Sequence, residues 1–567
     1  MSDLIEKVRR SVVGDKIAIN TPFGSRPLVY ADYTASGRSL NFIESWIRDQ
    51  VLPFYANTHT ETSLTGAQTT ALREQARQTI REAVNGGQDD QIIFCGPGAT
   101  AAINKLIDIL NLRLPRDLAQ RYELEAQIPA EQRPVVLIGP YEHHSNEIPW
   151  RESIADVLAI PLTAAGQIDL DVLAEQLATH ADRPLIIGSF SAASNVTGIK
   201  SDVEAVTGLL KQYGALAFWD YAAAGPYVSI DMNGSVPLDA VFLSPHKFVG
   251  GPGTPGVLVA KRSILNNSVP AVVGGGTVVY VTPQDHLFIH DHERREEGGT
   301  PAIVESIRAG LVFKLQQDVG IDEIERREHS FITRAMSRLR ACPGIEILGN
   351  LKAPRLSILS LRVKCGELDL HYGFVVSLLN DLFGIQVRGG CSCAGPYGHS
   401  LLGMSMAVSR AIEKKIQQGA VILRPGWVRL NFNYFISEQE FDYLLGAIEQ
   451  VAEHGWRLLP YYHFDTGSGV WCYQGNEMPL PVSLSALDFN ATEKRTGQED
   501  AAVFSLPDLL QRGEVELLAD RSDQESYDLL LTDSIEALRW FVLPQDVRAL
   551  LPECSGVNDV AEFAKTC

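Results

Sequence analysis

DAVFLSPHKFVGGPGTPG, residues 239–256, decides how this chain is read. Its opening is an apolar run of strand length that stops at Pro245, His246 and Lys247, and a turn rich in glycine and proline follows. In α/β sheets, ligands sit beyond the carboxyl ends of the strands. A lysine at such an end points toward a crevice, and the glycines let the backbone turn tightly beside a ligand. Desolvation or nearby positive charge there lowers an amine's pKa, as carbonyl-trapping lysines require.

The same texture extends upstream. QIIFCG (91–96), PVVLIGP (134–140), PLIIGSFS (184–191), ALAFWDYA (215–222) and PGVLVA (255–260) join DAVFLS (239–244) as buried strands. Their near-continuous hydrophobics suit a sheet covered on both faces. GAQTTALREQARQTIREAVN (66–85) puts Leu72, Ala76, Ile80 and Val84 on one helical stripe. LDVLAEQLATH (170–180) and DVEAVTGLLKQYG (202–214) supply crossover helices. This rhythm predicts an α/β domain with a mostly parallel sheet.

Two further strand ends carry chemistry. ALAFWDYA ends at Asp220, and an acid against an apolar wall is costly unless a cation pairs with it. The protonated pyridine nitrogen of pyridoxal 5'-phosphate (PLP) is such a partner. CGPGATAAINKLI (95–107) is a glycine-rich turn opening a helix, where free N–H groups and the dipole suit a phosphate. Each feature alone has an ordinary reading: a solvated lysine, a helix-capping aspartate, a common turn. Their order and their shared sheet edge point to one site.

The chain has 567 residues, 45% hydrophobic and 21% charged, as in large globular proteins of several units. A formal charge of −20 argues against sequence-independent nucleic-acid binding, which needs clustered Lys and Arg. Eight cysteines are too sparse for a disulfide framework. The opening MSDLIEKVRRSVVGDK lacks a signal-peptide core, no run suits a membrane span, and the final DVAEFAKTC does not fit a prenylation box. The expectation is a cytoplasmic protein with no membrane or nucleic-acid partner. Four segments are expected: residues 1–30 packing on the small domain, a large domain at 31–300, a smaller α+β domain at 301–455 and an acidic extension at 456–567. The long helix PAIVESIRAGLVFKLQQDVG opens the third, with strands near 355–363 and 426–433. From Tyr461 onward, 19 Asp plus Glu stand against 7 Lys plus Arg. WCYQ, LPDLLQ and IEALRWFVL in that stretch read as folded rather than as a solvated arm.

In order along the chain stand GPGATAAI, EHHSNEIPW, SNVTG, WDYA, SPHK, GGGT, EEGGTP and VRGGCSC. This set resembles the class V aminotransferase fold, specifically its cysteine desulfurase and selenocysteine lyase branch, over about residues 28–450. The resemblance implies PLP fold type I and a homodimer with PLP near the interface. By position, Lys247 would hold PLP, Asp220 its ring nitrogen, and His143 would stack on the ring. Asn195 would bond near the ring oxygen. Ala99, Thr100, Ser244 and His246 would hold the phosphate, with Thr300 reaching it from the other subunit. Arg429 in WVRLNFNYF, with Arg388, would bind the substrate carboxylate, a planar match for a guanidinium; an ordinary salt bridge is the rival reading. One departure stands out: the family's usual Gln three residues after the strand-end Asp is Ala223 here.

VRGGCSCAGPYGH (387–399) places Arg388, Cys391, Cys393 and His399 in a glycine-rich loop. Cys393 matches the family's sulfur-accepting cysteine, and Arg388 and His399 are candidates to depress its pKa. A zinc site would need two more ligands, a Cys391–Cys393 disulfide has poor geometry, and two unreactive thiols are the plain alternative. Cys391 departs from the family and is a candidate resolving thiol. The reaction implied is removal of sulfur from L-cysteine through a Cys393 persulfide, leaving alanine and passing sulfur to an acceptor protein. The rivals are a C–S lyase giving pyruvate, transamination or epimerisation on the same scaffold, and a non-catalytic scaffold, against which the intact Lys247, Asp220, His143 and Arg429 argue.

Overall fold

The structure, a computed structural model, describes residues 2–58, 60–474, 481–486, 488–490 and 504–548. A large sheet contains β1 (Asp90–Phe94), β2 (Val135–Ile138), β3 (Asp156–Ala159), β4 (Ile186–Ser191), β5 (Leu216–Asp220), β6 (Ala240–Leu243) and β7 (Val257–Lys261). Across the sheet they run β1-β7-β6-β5-β4-β2-β3. β7 is antiparallel to both its neighbours, and every other pairing is parallel. The apolar runs read from the sequence are six of these strands. The addition is β3, whose DVLA is only half-buried at the sheet edge and so lacks their signature.

Both faces of the sheet are covered, which is why these strands are apolar throughout. On one face Ile103 and Ile107 of the helix Gly98–Ile109 pack with Ile93, Val136, Phe218 and Phe242. On the other, Ile80 of the helix Leu64–Ala83 and Phe313 of Ile303–Val319 join Ile92, Val135, Trp219 and Val241. Caps set the helix starts: Ser63 accepts from Gly66 N–H and Asp202 from Ala205 N–H, contacts worth about 1 kcal/mol each.

The second unit is an antiparallel sheet in the order Ile345–Ile347, Ile358–Cys365, Trp427–Asn431, Arg388–Gly390. Its register sets Arg388 directly opposite Arg429. Like charges facing each other across a ladder repel, so an anion between them is required. The first thirty residues touch both units. Ile5, Val8 and Val12 enter the large core, Arg9 Nε donates to Phe435 O (2.6 Å), and Val29–Tyr30 pairs with Ile385–Gln386.

The described part of the acidic extension is folded onto the second unit. The hairpin Tyr462–Asp465/Val470–Tyr473, the helix Leu506–Leu518 and Phe541–Leu543 share one core with Phe374, Leu378 and Leu444. DVAEFAKTC lies outside the described residues. Among the described residues, no helix is long and apolar enough to cross a membrane.

Candidate active site

The carboxyl ends of β2, β4, β5 and β6 and the loop after β1 surround a cavity of about 250 Å³. The topology fills it from distant sequence. Ala99 and Thr100 come from the turn after β1, His143 follows β2, Asn195 follows β4, Asp220 ends β5, and Ser244, His246 and Lys247 follow β6. The second unit adds Arg388, Cys393 and Arg429 to the same lining. Ala222 and Ala223 line it too, so the position where the family usually carries Gln presents a methyl group.

The phosphate end is a backbone cradle. Pro97 stands at the N-cap of the helix Gly98–Ile109 and offers no side-chain cap, leaving first-turn amides for an anion. Ser244 Oγ accepts from Ala99 N–H (2.9 Å), and Thr100 Oγ1 lies 2.6 Å from Ser145 Oγ. Gly98 has φ +58°, and a Cβ there would stand 2.9 Å from both Ser244 Oγ and His246 Cε1. Only glycine makes this turn.

The opposite end is acidic and dry. Asp220 is 4% exposed and accepts from Ala222 N–H (2.8 Å). Burial raises its pKa, against that backbone bond and the charge of Lys247. A cationic ring nitrogen would relieve this desolvated carboxyl. Below the cavity Glu142 is held at about 7, raised chiefly by burial although Ser191 and Asn146 donate to it. His143 is pushed down to about 4, first by burial and then by the charges of Lys247, His144 and Arg429. Its Nδ1 accepts from Ser145 N–H (3.1 Å), which places the proton of the neutral ring on Nε2. Burial also takes His246 down to about 4. These residues fit PLP: a cradle for its phosphate, a neutral imidazole beside its ring and a buried acid for its nitrogen.

Lys247 is lowered to about 8, by burial first, with Arg429 and Arg388 helping and Asp220 and Asp32 opposing. A lowered pKa means that the neutral, nucleophilic amine predominates above about pH 8 instead of 10.5. The rate at which apo-protein takes up PLP should therefore climb with pH to a half-limit near pH 8. Absorbance stopped-flow checks this, and a rate still rising steeply beyond pH 10 would assign the amine an ordinary pKa.

Asp32, which the sequence reading missed, supplies the anion demanded by the facing arginines. Its Oδ2 accepts from Arg388 Nε (2.9 Å) and its Oδ1 from Arg429 Nη2 (3.0 Å). Arg429 Nη1 donates to Asn195 O (3.1 Å), while its buried Nε finds no partner. The salt-bridge reading of Arg429 is thus true at Nη2, and Nη1 is held by backbone.

The cysteine loop is docked by backbone bonds. Asn195 Nδ2 donates to Ser392 O (2.8 Å), His144 N–H to Cys393 O (2.9 Å) and Gly395 N–H to His144 Nε2 (3.0 Å). Ser392 and Cys393 both take left-handed conformations, φ +54° and +56°, which cost energy without glycine. Cys393 is exposed to the cavity and Cys391 half-buried behind it. The two side chains expected beside the thiol bond elsewhere: Arg388 to Asp32, and His399 Nε2 to Ser409 Oγ (3.1 Å). Thr300 does not line this cavity within one chain. The neighbouring Glu297 is gripped by Arg73 and Phe94 N–H, and Thr300 Oγ1 accepts from Asn57 (3.3 Å). Among the described residues, no three His, Cys, Asp or Glu side chains form a metal-holding group.

Residues 29–444 match the family described as aminotransferase class-V. The chain belongs to that family. It is 26% identical over 446 residues to a probable cysteine desulfurase of Staphylococcus aureus, covering 78% of this chain and 96% of that one. It is 29% identical over 374 residues to a probable cysteine desulfurase of Halalkalibacterium halodurans, covering 65% and 85%. Among solved structures, a cysteine desulfurase from Thermococcus onnurineus superposes with a TM-score of 0.61 at 22% identity, over 75% of this chain and 94% of that one. The cysteine desulfurase CsdA of Escherichia coli gives 0.59 at 22% identity over the same shares. The architecture is PLP fold type I, its mostly parallel sheet as the sequence led us to expect.

Proposed function

We propose that the chain is a PLP-dependent cysteine desulfurase that takes the sulfur of L-cysteine onto Cys393 and releases alanine. One observation carries the reading: Cys393 lines the same cavity as Lys247, Asp220 and Arg429. The desulfurase relatives support it. In this reading Lys247 holds PLP covalently, Asp220 faces its ring nitrogen and His143 its ring face. Ser244, His246, Ala99 and Thr100 hold the phosphate, and Asn195 serves the ring oxygen. When bound, PLP supplies an electron sink for the bonds at the Cα of an amino acid.

The chain's own residues do the rest. Arg429 and Arg388, which line the cavity side by side, grip the carboxylate, with Asp32 fixing both guanidinium planes. Lys247 Nζ, set free when the substrate amine takes its place, moves the Cα proton. The Cys393 thiolate attacks the substrate sulfur, so an S–S bond forms as the C–S bond breaks. The electron pair left on carbon takes up a proton, and the skeleton leaves as alanine. Enzyme thiol and cysteine thus become enzyme persulfide and alanine, with no outside oxidant. An acceptor thiol, on a protein partner, then removes the sulfur.

The same reading implies a homodimer. Val279, Tyr280, Val281 and Leu287, on the hairpin Val278–Val281/His286–Phe288, are 55–69% exposed beside the exposed Val272 and Val273. An apolar patch of this kind marks an association surface, and we assign Thr300 to the partner's phosphate cradle. The rival on this scaffold is β-elimination to pyruvate, and Ala223, which offers no side-chain donor to the ring oxygen, bears on the balance between the two. Incubation of holoenzyme with L-cysteine and a reducing thiol decides: alanine should form in step with sulfide, and pyruvate in its place would transfer the chain to the lyases.

A further inference from the structure

The acidic extension lies beyond the family match, yet one of its side chains reaches the back of the cysteine hairpin. We propose that Trp540 is a positioning residue that braces the strand Arg388–Gly390 through the ring of Tyr372. The proposal rests on the desulfurase reading in taking the loop after that strand as the sulfur-accepting one.

The segment carrying Trp540 is fixed at three points. Trp540 Nε1 donates to Leu423 O (3.1 Å), its carbonyl accepts from Asp369 N–H (3.2 Å), and Val542 N–H donates to Asp369 O (2.9 Å). The anchor itself is rigid, because Arg362 (2.7 Å) and Lys364 (2.8 Å) both hold the Asp369 carboxylate. So held, the indole lies parallel to Tyr372, 9° between planes and 6.1 Å between centroids, and stacks on His371 at 5.3 Å. His371 is locked in turn: its Nδ1 accepts from Trp471 Nε1 (3.1 Å), another residue of the extension.

Tyr372 also lies against backbone. A Cβ at Gly389 would fall 2.7 Å from Tyr372 Cδ2, and one at Gly426 would fall 2.8 Å from Cε1. Gly389 thus admits this ring, and Gly426 admits both the ring and the Gly390 backbone, 2.7 Å from where its Cβ would stand. Gly389 pairs with Val428 and Gly390 with Trp427, so the ring lies over the ladder that carries Arg388 and Arg429. Cys391 follows directly, and Ser392 and Cys393 then hold their left-handed conformations. A strained loop keeps its geometry only where its supports over-determine it. The extension supplies one such support, in addition to His144 and Asn195.

The test compares full-length holoenzyme with Trp540→Phe, Trp540→Leu and Tyr372→Leu by hydrogen-exchange mass spectrometry without substrate. An aromatic stack contributes about 1 kcal/mol, so both leucine variants should speed exchange across residues 386–394 by about fivefold or more. Exchange in β2 should stay at the wild-type rate. Trp540→Phe keeps a stacking ring but loses the bond to Leu423 O, and should speed exchange less than the leucine variants. With L-cysteine, the leucine variants should raise KM by about threefold as the carboxylate grip loosens, a change that lost stability alone does not produce. Wild-type exchange across 386–394 in either leucine variant, or equal acceleration in β2, would overturn the brace. Because exchange is read without substrate, a wild-type protein that made pyruvate would defeat the desulfurase reading and leave this comparison valid.

Discussion

Lys247→Ala is expected to give a folded protein whose PLP dialyses away and whose turnover of L-cysteine falls about 10³-fold or more. The fold should survive because the strand before it, Ala240–Leu243, is wholly buried and bonded on both edges without the lysine. The variant also sheds an amine whose lowered pKa shows that the site disfavours its charge. Ser244, His246 and the amides of the Gly98–Ile109 helix remain, so phosphate affinity should persist while covalent retention is lost. Borohydride should fix the cofactor to Lys247 of the wild type and fix none in the variant. Cofactor still fixed in Lys247→Ala would place the anchoring amine elsewhere.

Cys393→Ala should separate the two reactions this scaffold permits. A desulfurase needs the thiol as nucleophile, and sulfur release should drop by about 10³-fold while cofactor content stays unchanged. Elimination needs only the lysine and the electron sink, so a lyase would keep most of its rate. Little structural damage is expected, because Cys393 is exposed and its loop is held through the backbone carbonyls of Ser392 and Cys393. Cys391→Ala supplies the contrast, since that thiol is half-buried behind the loop and the first sulfur transfer does not use it. A variant at position 393 with near-normal rate and pyruvate as product would overturn the assignment.

Much of this architecture was legible in the sequence because the strands are buried on both faces. Apolar runs such as FLS and VVLI could be nothing else once flanked by turn residues, and a Lys or Asp at their ends was conspicuous. β3 escaped because it is only half-buried, unlike β1 at the sheet's other edge, and needs no such composition. Asp32 escaped for a different reason. Its function comes from the register that sets Arg388 opposite Arg429, and nothing near residue 32 hints at a bond to either. Sequence proximity misled in the cysteine loop, where Arg388 and His399 flank the thiol along the chain but bond Asp32 and Ser409 in space. Trp540 was read as part of a folded tail, yet its contact with Tyr372 follows only from the tail's path over the second unit.

The most direct test is to find the sulfur. Holoenzyme mixed with L-cysteine in the absence of any other thiol, trapped with an alkylating agent and digested, should carry one extra sulfur atom on the peptide containing Cys393. One alanine should be released for each modified chain. A Cys393 peptide of unchanged mass, alongside pyruvate and free sulfide, would contradict the account.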